Sequence, residues 1–160
     1  MKTLGVSVLG LGFMGGTTTL AHRSIPVYYQ PAPLTTRLVT VCSTTMERGQ
    51  AAQVVGGFDR CTTDPIEAVT ADDVDIVHIC TPNQAHFAAL KAAVAAGKHI
   101  YVDKPVTASL DEARKLSAML KDYRGTAQVA LQYRFFPATM RARQLIREGA
   151  LGPITHFRGA

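Results

Sequence analysis

The sequence is poor in cysteine and lacks an apolar run of membrane-spanning length. Its three cysteines, Cys42, Cys61 and Cys80, show no C-x-x-C spacing, which indicates neither a disulfide framework nor a zinc site. No stretch reaches the roughly 18 apolar residues that a membrane span requires. We therefore expect a protein of the reducing cytoplasm, with no metal site and no membrane partner.

A nucleic-acid-binding module is also missing, although the chain is basic. Lysine and arginine number 17 against 12 aspartates and glutamates, a formal net charge of +5, and nucleic acid is the obvious acidic partner to consider. The basic residues are scattered, and no recognisable module surrounds the densest group, Arg134, Arg141, Arg143, Arg147 and Arg158. We expect no nucleic-acid partner, because a phosphorylated cofactor needs only a few of these charges.

Short β-branched runs alternate with alanine-rich helical runs, a pattern typical of parallel strands joined by crossover helices. The strand runs are almost continuously apolar, as expected for strands covered on both faces, and fall at residues 4–9, 38–42, 76–80, 100–102 and 128–131. Helices are predicted at residues 13–22, 45–54, 64–70, 84–96, 110–121 and 138–148. Ser109 and Glu112 have the spacing of a capping box at the start of the fifth helix. The sequence thus predicts an α/β fold with a doubly wound parallel sheet.

Two features divide this pattern. Residues 25–36 contain three prolines, beginning with Pro26, which predicts a loop with at most a broken helical turn. Gly125 is the predicted domain boundary, because the pattern before it already supplies a complete α/β core and the pattern after it restarts with a strand. Residues 1–125 are expected to form one complete domain, and residues 126–160 the incomplete beginning of a second α/β domain.

The first strand run ends in a G-x-G-x-x-G turn formed by Gly10, Gly12 and Gly15, with Phe13 and Met14 between the last two glycines. Gly10 allows a tight turn, Gly12 admits phosphates close to the backbone, and Gly15 lets the next helix pack against the strand. The helix N-terminus then favours an anion. The turn predicts a dinucleotide pyrophosphate site; the alternatives are a plain strand-to-helix turn and a secretory signal.

Three further segments extend this turn into a family resemblance: residues 81–86 (TPNQAH), 96–105 (AGKHIYVDKP) and 132–137 (QYRFFP). Together they resemble the Gfo/Idh/MocA oxidoreductases, in order and spacing, over practically the whole chain. The resemblance implies that residues 1–125 are a Rossmann domain binding NAD or NADP, and that a second α/β domain carries most of the substrate site. It implies hydride transfer between the nicotinamide and a sugar, inositol or related polyol.

In the resembled family the loop after the third predicted strand lies against the cofactor. Thr81, Pro82 and Asn83 form that loop here, and they offer a hydroxyl, a rigid bend and an amide. The resemblance makes Asn83 and His86 candidate contacts near the ribose and nicotinamide, and Arg134 joins the candidate cofactor residues. For His86 the alternative is a first-turn residue of the following helix, without a direct role.

Lys104 is the candidate catalytic residue. It follows a predicted strand and precedes Pro105, so it is held in a restricted loop whose Lys-Pro bond is a candidate for the cis form. We expect it to be partly buried beside the cofactor, where it hydrogen-bonds the substrate oxygen and assists proton transfer; the alternative is a solvated loop lysine. The resemblance makes Asp103 and Lys104 candidate cofactor contacts too, although Asp103 is one methylene shorter than the glutamate that the resembled family most often has there.

The end of the second predicted strand bears on the choice of cofactor. NAD-specific Rossmann domains usually carry an acid there, which binds the ribose 2′-OH, whereas this strand runs into Ser43 and Thr44. These hydroxyls and the Arg48 guanidinium suit a 2′-phosphate. The sequence therefore predicts NADP, with NAD as the alternative. A second alternative is that Arg48 only pairs with Glu47 or with solvent.

The chain lacks the Asp-x-x-x-His pair that the second domain supplies in the resembled family. The only histidine after Asp122 is His156, which lies in an apparent strand at residues 154–157 without an aspartate four residues before it. Two interpretations follow: an N-terminal part of an oxidoreductase, inactive by itself, or a non-catalytic dinucleotide-binding or sensing module. An incomplete second sheet also predicts self-association into a homo-oligomer.

Overall fold

The computed structural model describes residues 3–158 and divides into two compact units, one running to Ala130 and one beginning at Leu131. The strands are β1 (Thr3–Leu9), β2 (Thr35–Cys42), β3 (Arg60–Thr62), β4 (Ile76–Ile79), β5 (His99–Val102) and β6 (Ala127–Val129). The helices are α1 (Phe13–Tyr28), α2 (Met46–Gly56), α3 (Pro65–Thr70), α4 (His86–Ala95), α5 (Leu110–Met119) and α6 (Pro137–Arg147).

All six strands form one parallel sheet in the order β3-β2-β1-β4-β5-β6. The strand order reverses between β1 and β4, so the connections from these two strands leave in opposite directions and open a crevice at their carboxyl ends. This topology confirms the predicted α/β fold with a doubly wound sheet.

The core lies on both faces of the sheet. On one face Val6, Val8 and Val41, all fully buried, pack with Ala52 of α2. On the other face the cluster joins sheet residues with side chains of α3, α4 and α5, and it includes Leu9, Ile79, Val69, Ala93 and Leu116. Because β1 and β4 are covered on both faces, their continuous apolar runs follow directly from their place in the sheet.

The first helix is longer than predicted. α1 continues through Pro26 to Tyr28, where the Tyr29 N–H donates to the Ile25 carbonyl at 3.0 Å. Inside a helix proline removes one hydrogen bond and its ring crowds the carbonyl four residues earlier, and here both costs fall in the last turn of a 16-residue helix. The prediction of a loop over residues 25–36 was wrong for residues 25–28, which lie in α1, and for residues 35 and 36, which begin β2.

The sixth strand corrects the predicted domain boundary. The strand expected to open a second domain pairs with β5 instead, with Ala127 opposite Ile100 and Val129 opposite Val102. Residues 126–130 therefore belong to the first sheet, and the structure divides after Ala130 rather than at Gly125.

In the second unit α6 forms as expected, but residues 154–157 form no strand, because an extended segment becomes one only when a partner completes its hydrogen bonds. That this unit begins a substrate domain stays a prediction. Within residues 3–158, no helix is long and apolar enough to span a membrane, and no group of histidine, cysteine, aspartate and glutamate side chains has the geometry of a metal site.

Candidate dinucleotide-binding site

The candidate site lies at the carboxyl ends of β1 and β4, at the point where the strand order reverses. The Gly10 N–H donates to the Cys42 carbonyl at 2.9 Å, and the Cys80 N–H donates to the Leu9 carbonyl at 2.8 Å. These bonds extend the ladders past the ends of the strands and hold the turn after β1 between its two neighbours. Ligands of doubly wound sheets bind in such a crevice.

The three glycines of the turn meet three different steric situations. Gly10 has a φ of +84°, and a Cβ there would lie 2.8 Å from the Cys80 carbonyl oxygen. At Gly15 a Cβ would lie 2.0 Å from the Gly10 carbonyl oxygen, because α1 starts directly on top of the turn. At Gly12 a Cβ would meet nothing within 4 Å. The backbone at Gly12 is therefore open to a ligand, while Gly10 and Gly15 hold the turn and the helix together.

The N-terminus of α1 carries no side-chain cap. Its N-cap is Gly12, and the first turn contains no acidic residue. The first N–H groups of a helix have no carbonyl partner within it, and the helix dipole adds partial positive charge at the same place. This helix start can therefore accept an anion such as a pyrophosphate, with Phe13 and Met14 in its first turn.

The end of β2 brings together the residues predicted to select the cofactor. The Ser43 N–H donates to the Thr62 carbonyl at 3.1 Å, which fixes Ser43 beside β3. Thr45 caps α2 by accepting from the Arg48 N–H at 3.4 Å. Thr44 and the Arg48 side chain are exposed, and Ser43 is partly exposed. Two hydroxyls and one guanidinium thus stand at the start of a helix, without an acid at the strand end.

The loop after β4 contains an unsatisfied hydroxyl. Thr81 Oγ1 is buried and has no hydrogen-bond partner among the described residues 3–158. The backbone nitrogen of Thr81 lies next to the glycine turn, 3.1 Å from where a Cβ on Gly10 would be. Pro82 precedes a short 3₁₀ turn, Asn83–Ala85, and Asn83 is partly exposed. A buried polar group without a partner carries a desolvation cost that a bound ligand can relieve.

His86 corrects one predicted contact. Its side chain is 1% exposed, and its ring lies between two carbonyl oxygens: Nδ1 is 3.0 Å from that of Pro105, and Nε2 is 2.7 Å from that of Thr81. No ring nitrogen is left for the ribose or the nicotinamide. The structure makes His86 a link between two loops, because the start of α4 turns the ring into the protein.

The loop after β5 carries Lys104 at the same edge of the sheet. The Asp103 N–H donates to the Ile79 carbonyl at 2.9 Å, and the Asp103 carboxylate accepts from the Lys104 N–H at 2.7 Å. The Lys104–Pro105 bond is cis, as the sequence indicated. The Lys104 side chain is exposed, not partly buried as predicted.

Arg134 lies in the second unit, in the 3₁₀ turn Gln132–Phe135. Its predicted contact with the cofactor stays a prediction.

A histidine pair that the sequence pattern did not predict joins buried His78 to half-buried His22. His22 of α1 and His78 of β4 face each other with 2.9 Å between their Nε2 atoms. Burial and the neighbouring His22 lower the pKa of His78 to about 3, and burial also lowers the pKa of His22. One ring must donate and the other accept, so the contact requires at least one neutral ring. A histidine within an apolar strand was the available signal.

The glycine turn, the uncapped start of α1 and their position between β1 and β4 define a dinucleotide-binding domain of the Rossmann class. A family model described as "Oxidoreductase family, NAD-binding Rossmann fold" matches residues 4–131. The chain therefore belongs to the Gfo/Idh/MocA family of oxidoreductases.

Two curated relatives show how much of such a protein this chain represents. It is 35% identical over 159 residues to levoglucosan dehydrogenase of Pseudarthrobacter phenanthrenivorans, covering 99% of this chain and 41% of the relative. It is 32% identical to scyllo-inositol 2-dehydrogenase (NAD(+)) of Bacillus subtilis, covering 96% of this chain and 43% of the relative. The chain thus spans about two fifths of the length of these relatives.

Solved structures agree with the fold. Levoglucosan dehydrogenase in complex with NADH and levoglucosan superposes with a TM-score of 0.91 at 33% identity, over 96% of this chain and 41% of that chain. An oxidoreductase domain protein from Kribbella flavida gives a TM-score of 0.88 at 32% identity, over 95% of this chain and 41% of that chain.

Proposed function

We propose that this chain is the cofactor-binding part of an NAD(P)-dependent oxidoreductase that acts on a sugar, an inositol or a related polyol. The observation that carries the proposal is the shared edge of the sheet, where the open, uncapped start of α1 and the exposed Lys104 both follow carboxyl ends of strands. The relatives include dehydrogenases named for levoglucosan and scyllo-inositol, which supports a polyhydroxylated substrate.

The residues at the crevice fit a dinucleotide. Free N–H groups of α1 and the open backbone at Gly12 suit the pyrophosphate. The Thr81 hydroxyl, buried without a partner among residues 3–158, gains one when the cofactor lies along the loop of Thr81, Pro82 and Asn83. The nicotinamide supplies the hydride acceptor or donor when it is bound.

Lys104 serves as the proton donor or acceptor for the reacting oxygen of the substrate. Within the described chain its ammonium group is exposed and has no hydrogen-bond or ion-pair partner, so it is free to donate to a substrate hydroxyl or carbonyl oxygen. The Asp103 carboxylate faces the backbone N–H of Lys104. Asp103 therefore contributes by fixing this loop beside the cofactor.

NADP is the proposed cofactor. A 2′-phosphate brings about two negative charges, and Ser43, Thr44 and Arg48 offer hydroxyl and guanidinium donors at the start of α2. Calorimetric titration with NADPH and NADH tests this choice, and Ser43→Asp is the critical variant because it restores an acid at the strand end. We expect tighter binding of NADPH and a reversed preference in the variant. Equal affinities, or an unchanged preference in Ser43→Asp, contradict the proposal.

A non-catalytic dinucleotide-binding or sensing module is the second candidate. Its support is that the uncapped start of α1 and the buried Thr81 hydroxyl suit a bound dinucleotide whether or not a reaction follows. An assay of residues 1–160 with NADPH or NADP and a panel of polyols addresses both candidates. We expect cofactor binding without turnover from this chain alone. Turnover by residues 1–160 contradicts the view that a second domain completes the site.

The proposal also covers the cellular location and the oligomeric state of the protein. All three cysteines are free, which suits a reducing cytoplasm. Exposed apolar side chains on α1 and α2, including Leu20, Val27 and Val54 at 65%, 71% and 82% exposure, suit a homo-oligomer. Light scattering is expected to give a mass above that of one chain, and a strictly monomeric chain contradicts this part.

A further inference from the structure

We infer that His86 is a positioning residue that couples the cofactor loop at Thr81 to the catalytic loop at Lys104 and Pro105. The inference rests on the proposed function, because these loops have their assigned roles only there. It adds to the proposed site a residue that contacts neither cofactor nor substrate and that holds both loops from within the protein.

The geometry of the ring carries the inference. His86 is the first residue of α4 and is 1% exposed. Its Nε2 reaches the carbonyl oxygen of Thr81 at 2.7 Å, five residues earlier, and its Nδ1 reaches that of Pro105 at 3.0 Å, 19 residues later. One side chain thus lies within hydrogen-bond distance of the first residue of one loop and of the neighbour of Lys104 in the other.

The backbone bonds between β4 and β5 end before the two loops begin, so a side chain links the loops. The register of β4 and β5 ends with Ile79 opposite Val102, and one more backbone bond follows, from the Asp103 N–H to the Ile79 carbonyl. Beyond this point the segments that follow β4 and β5 diverge from the β4–β5 pairing, and the His86 ring lies between them. Its two contacts therefore set the distance between the Thr81 hydroxyl and the backbone that carries Lys104.

The two contacts can be removed separately. Both acceptors are carbonyls, so each contact uses a ring N–H; a neutral ring donates to one of them at a time, and the protonated ring donates to both. An asparagine amide reaches about as far as Nδ1, and a glutamine amide about as far as Nε2. His86→Asn therefore keeps the bond to Pro105 and frees Thr81, whereas His86→Gln keeps the bond to Thr81 and frees Pro105.

The experiment measures two quantities on residues 1–160. The dissociation constant for NADPH is read from its fluorescence, and backbone hydrogen exchange is followed by mass spectrometry in peptides covering residues 81–85 and 103–108. His99→Gln is the matched control, because His99 is exposed and, within residues 3–158, its ring accepts only from the Thr126 N–H. A thermal melt confirms that each variant is folded.

We expect opposite patterns from the two variants. His86→Asn should weaken NADPH binding by about fivefold to tenfold, the size of one lost hydrogen bond, and speed exchange at residues 81–85. His86→Gln should bind NADPH nearly as the wild type does and speed exchange at residues 103–108. The control should change neither quantity. Equal effects of both variants on both loops, or no effect of either, overturn the inference, because they indicate packing alone.

Two further outcomes remain decisive. If the wild type does not bind NADPH, the proposed cofactor role fails, and the exchange pattern still tests the coupling of the loops. If neither variant folds, the wild type is compared with and without NADPH. Slower exchange at both 81–85 and 103–108 then supports the coupling, and slowing confined to 81–85 overturns it.

Discussion

Two strand-to-helix connections at the same edge of the sheet differ in whether side chains satisfy the first N–H groups of the helix that follows. Between β1 and α1 the helix starts on Gly12, without a side-chain cap and without an acid in its first turn. Between β5 and α5 the Ser109 hydroxyl accepts from the Glu112 N–H at 3.2 Å, and the Glu112 carboxylate accepts from the Ala108 N–H at 3.0 Å. At the start of α5 side chains satisfy N–H groups of the first turn, whereas the N–H groups at the start of α1 have no side-chain cap.

The β5–α5 connection adds a second contrast. It is long enough to carry Lys104 at the carboxyl edge of the sheet before Ser109 caps α5, whereas the β1–α1 connection offers backbone N–H groups. Under the proposed function, one connection supplies the backbone that binds the anion, and the other supplies the proton-transferring lysine and a capped helix. Substitutions in the two connections should accordingly separate affinity, turnover and stability.

The largest expected effect is that of Lys104→Ala. In a form of the protein that turns over a polyol, this change should lower kcat by about 10²–10⁴, the usual size of a positioned acid or base, and leave the cofactor dissociation constant nearly unchanged. Steady-state kinetics and cofactor titration measure the two quantities. Lys91→Ala, on the exposed surface of α4, is the control; near-normal turnover of Lys104→Ala removes the residue from the mechanism.

Gly12→Asp makes the first connection resemble the second. A Cβ at Gly12 meets nothing within 4 Å, and aspartate is a preferred N-cap, so stability should hold or rise by a few tenths of a kcal/mol. The added charge faces the pyrophosphate, and we expect NADPH binding to weaken by about 100-fold. Titration and urea unfolding of one preparation test both parts. Wild-type affinity in a stably folded variant refutes the assignment of the anion site.

The pair of His22 in α1 and His78 in β4 predicts that the free energy of unfolding depends on pH. The pKa of His78 is lowered from 6.5 to about 3 in the folded chain, so the unfolded chain takes up the proton first as the pH falls. Stability should be complete above about pH 6.5 and fall toward pH 3, by about 1.4 kcal/mol per pH unit for this group. Urea unfolding at pH 7.0 and 5.5 should show the fall in the wild type and a smaller one in His78→Gln. An equal fall in the free energy of unfolding in both proteins contradicts the assignment of this pH dependence to His78.

Ser109→Ala should have the smallest effect, on stability alone. Loss of the cap leaves the first turn of α5 unsatisfied, and we expect a cost of about 1 kcal/mol in the free energy of unfolding. The dissociation constant for NADPH should stay unchanged, because the cap does not face the crevice. A weaker affinity for NADPH in this variant contradicts the claim that the start of α5 serves stability alone.

The contrast also explains what the sequence made predictable. The glycine turn and the capping box of Ser109 and Glu112 are local, so both could be predicted from their spacing. The membership of β6 in the first sheet depends on its pairing with β5. β3 consists of three residues beside β2 and carries no pattern of its own. Long-range pairing decides both strands, and spacing along the chain does not record it.

Side-chain orientation was the second limit. The sequence placed His86 correctly at the start of a helix, but whether its ring faces the crevice or the interior depends on the Pro105 carbonyl, 19 residues later. The exposure of Lys104 was mispredicted for a related reason, since the burial of a loop depends on what packs over it.

The most direct test of the account is a backbone amide NMR titration of residues 1–160 with NADPH. The account predicts that the amide signals of Gly12, Phe13, Met14 and Gly15 shift most strongly, together with those of Ser43 and Thr81. The amides at the start of α5, from Leu110 to Ala113, should remain at their original positions. Shifts at α5 with none at α1, or no shifts at saturating NADPH, contradict the central claim that the uncapped start of α1 is the cofactor site.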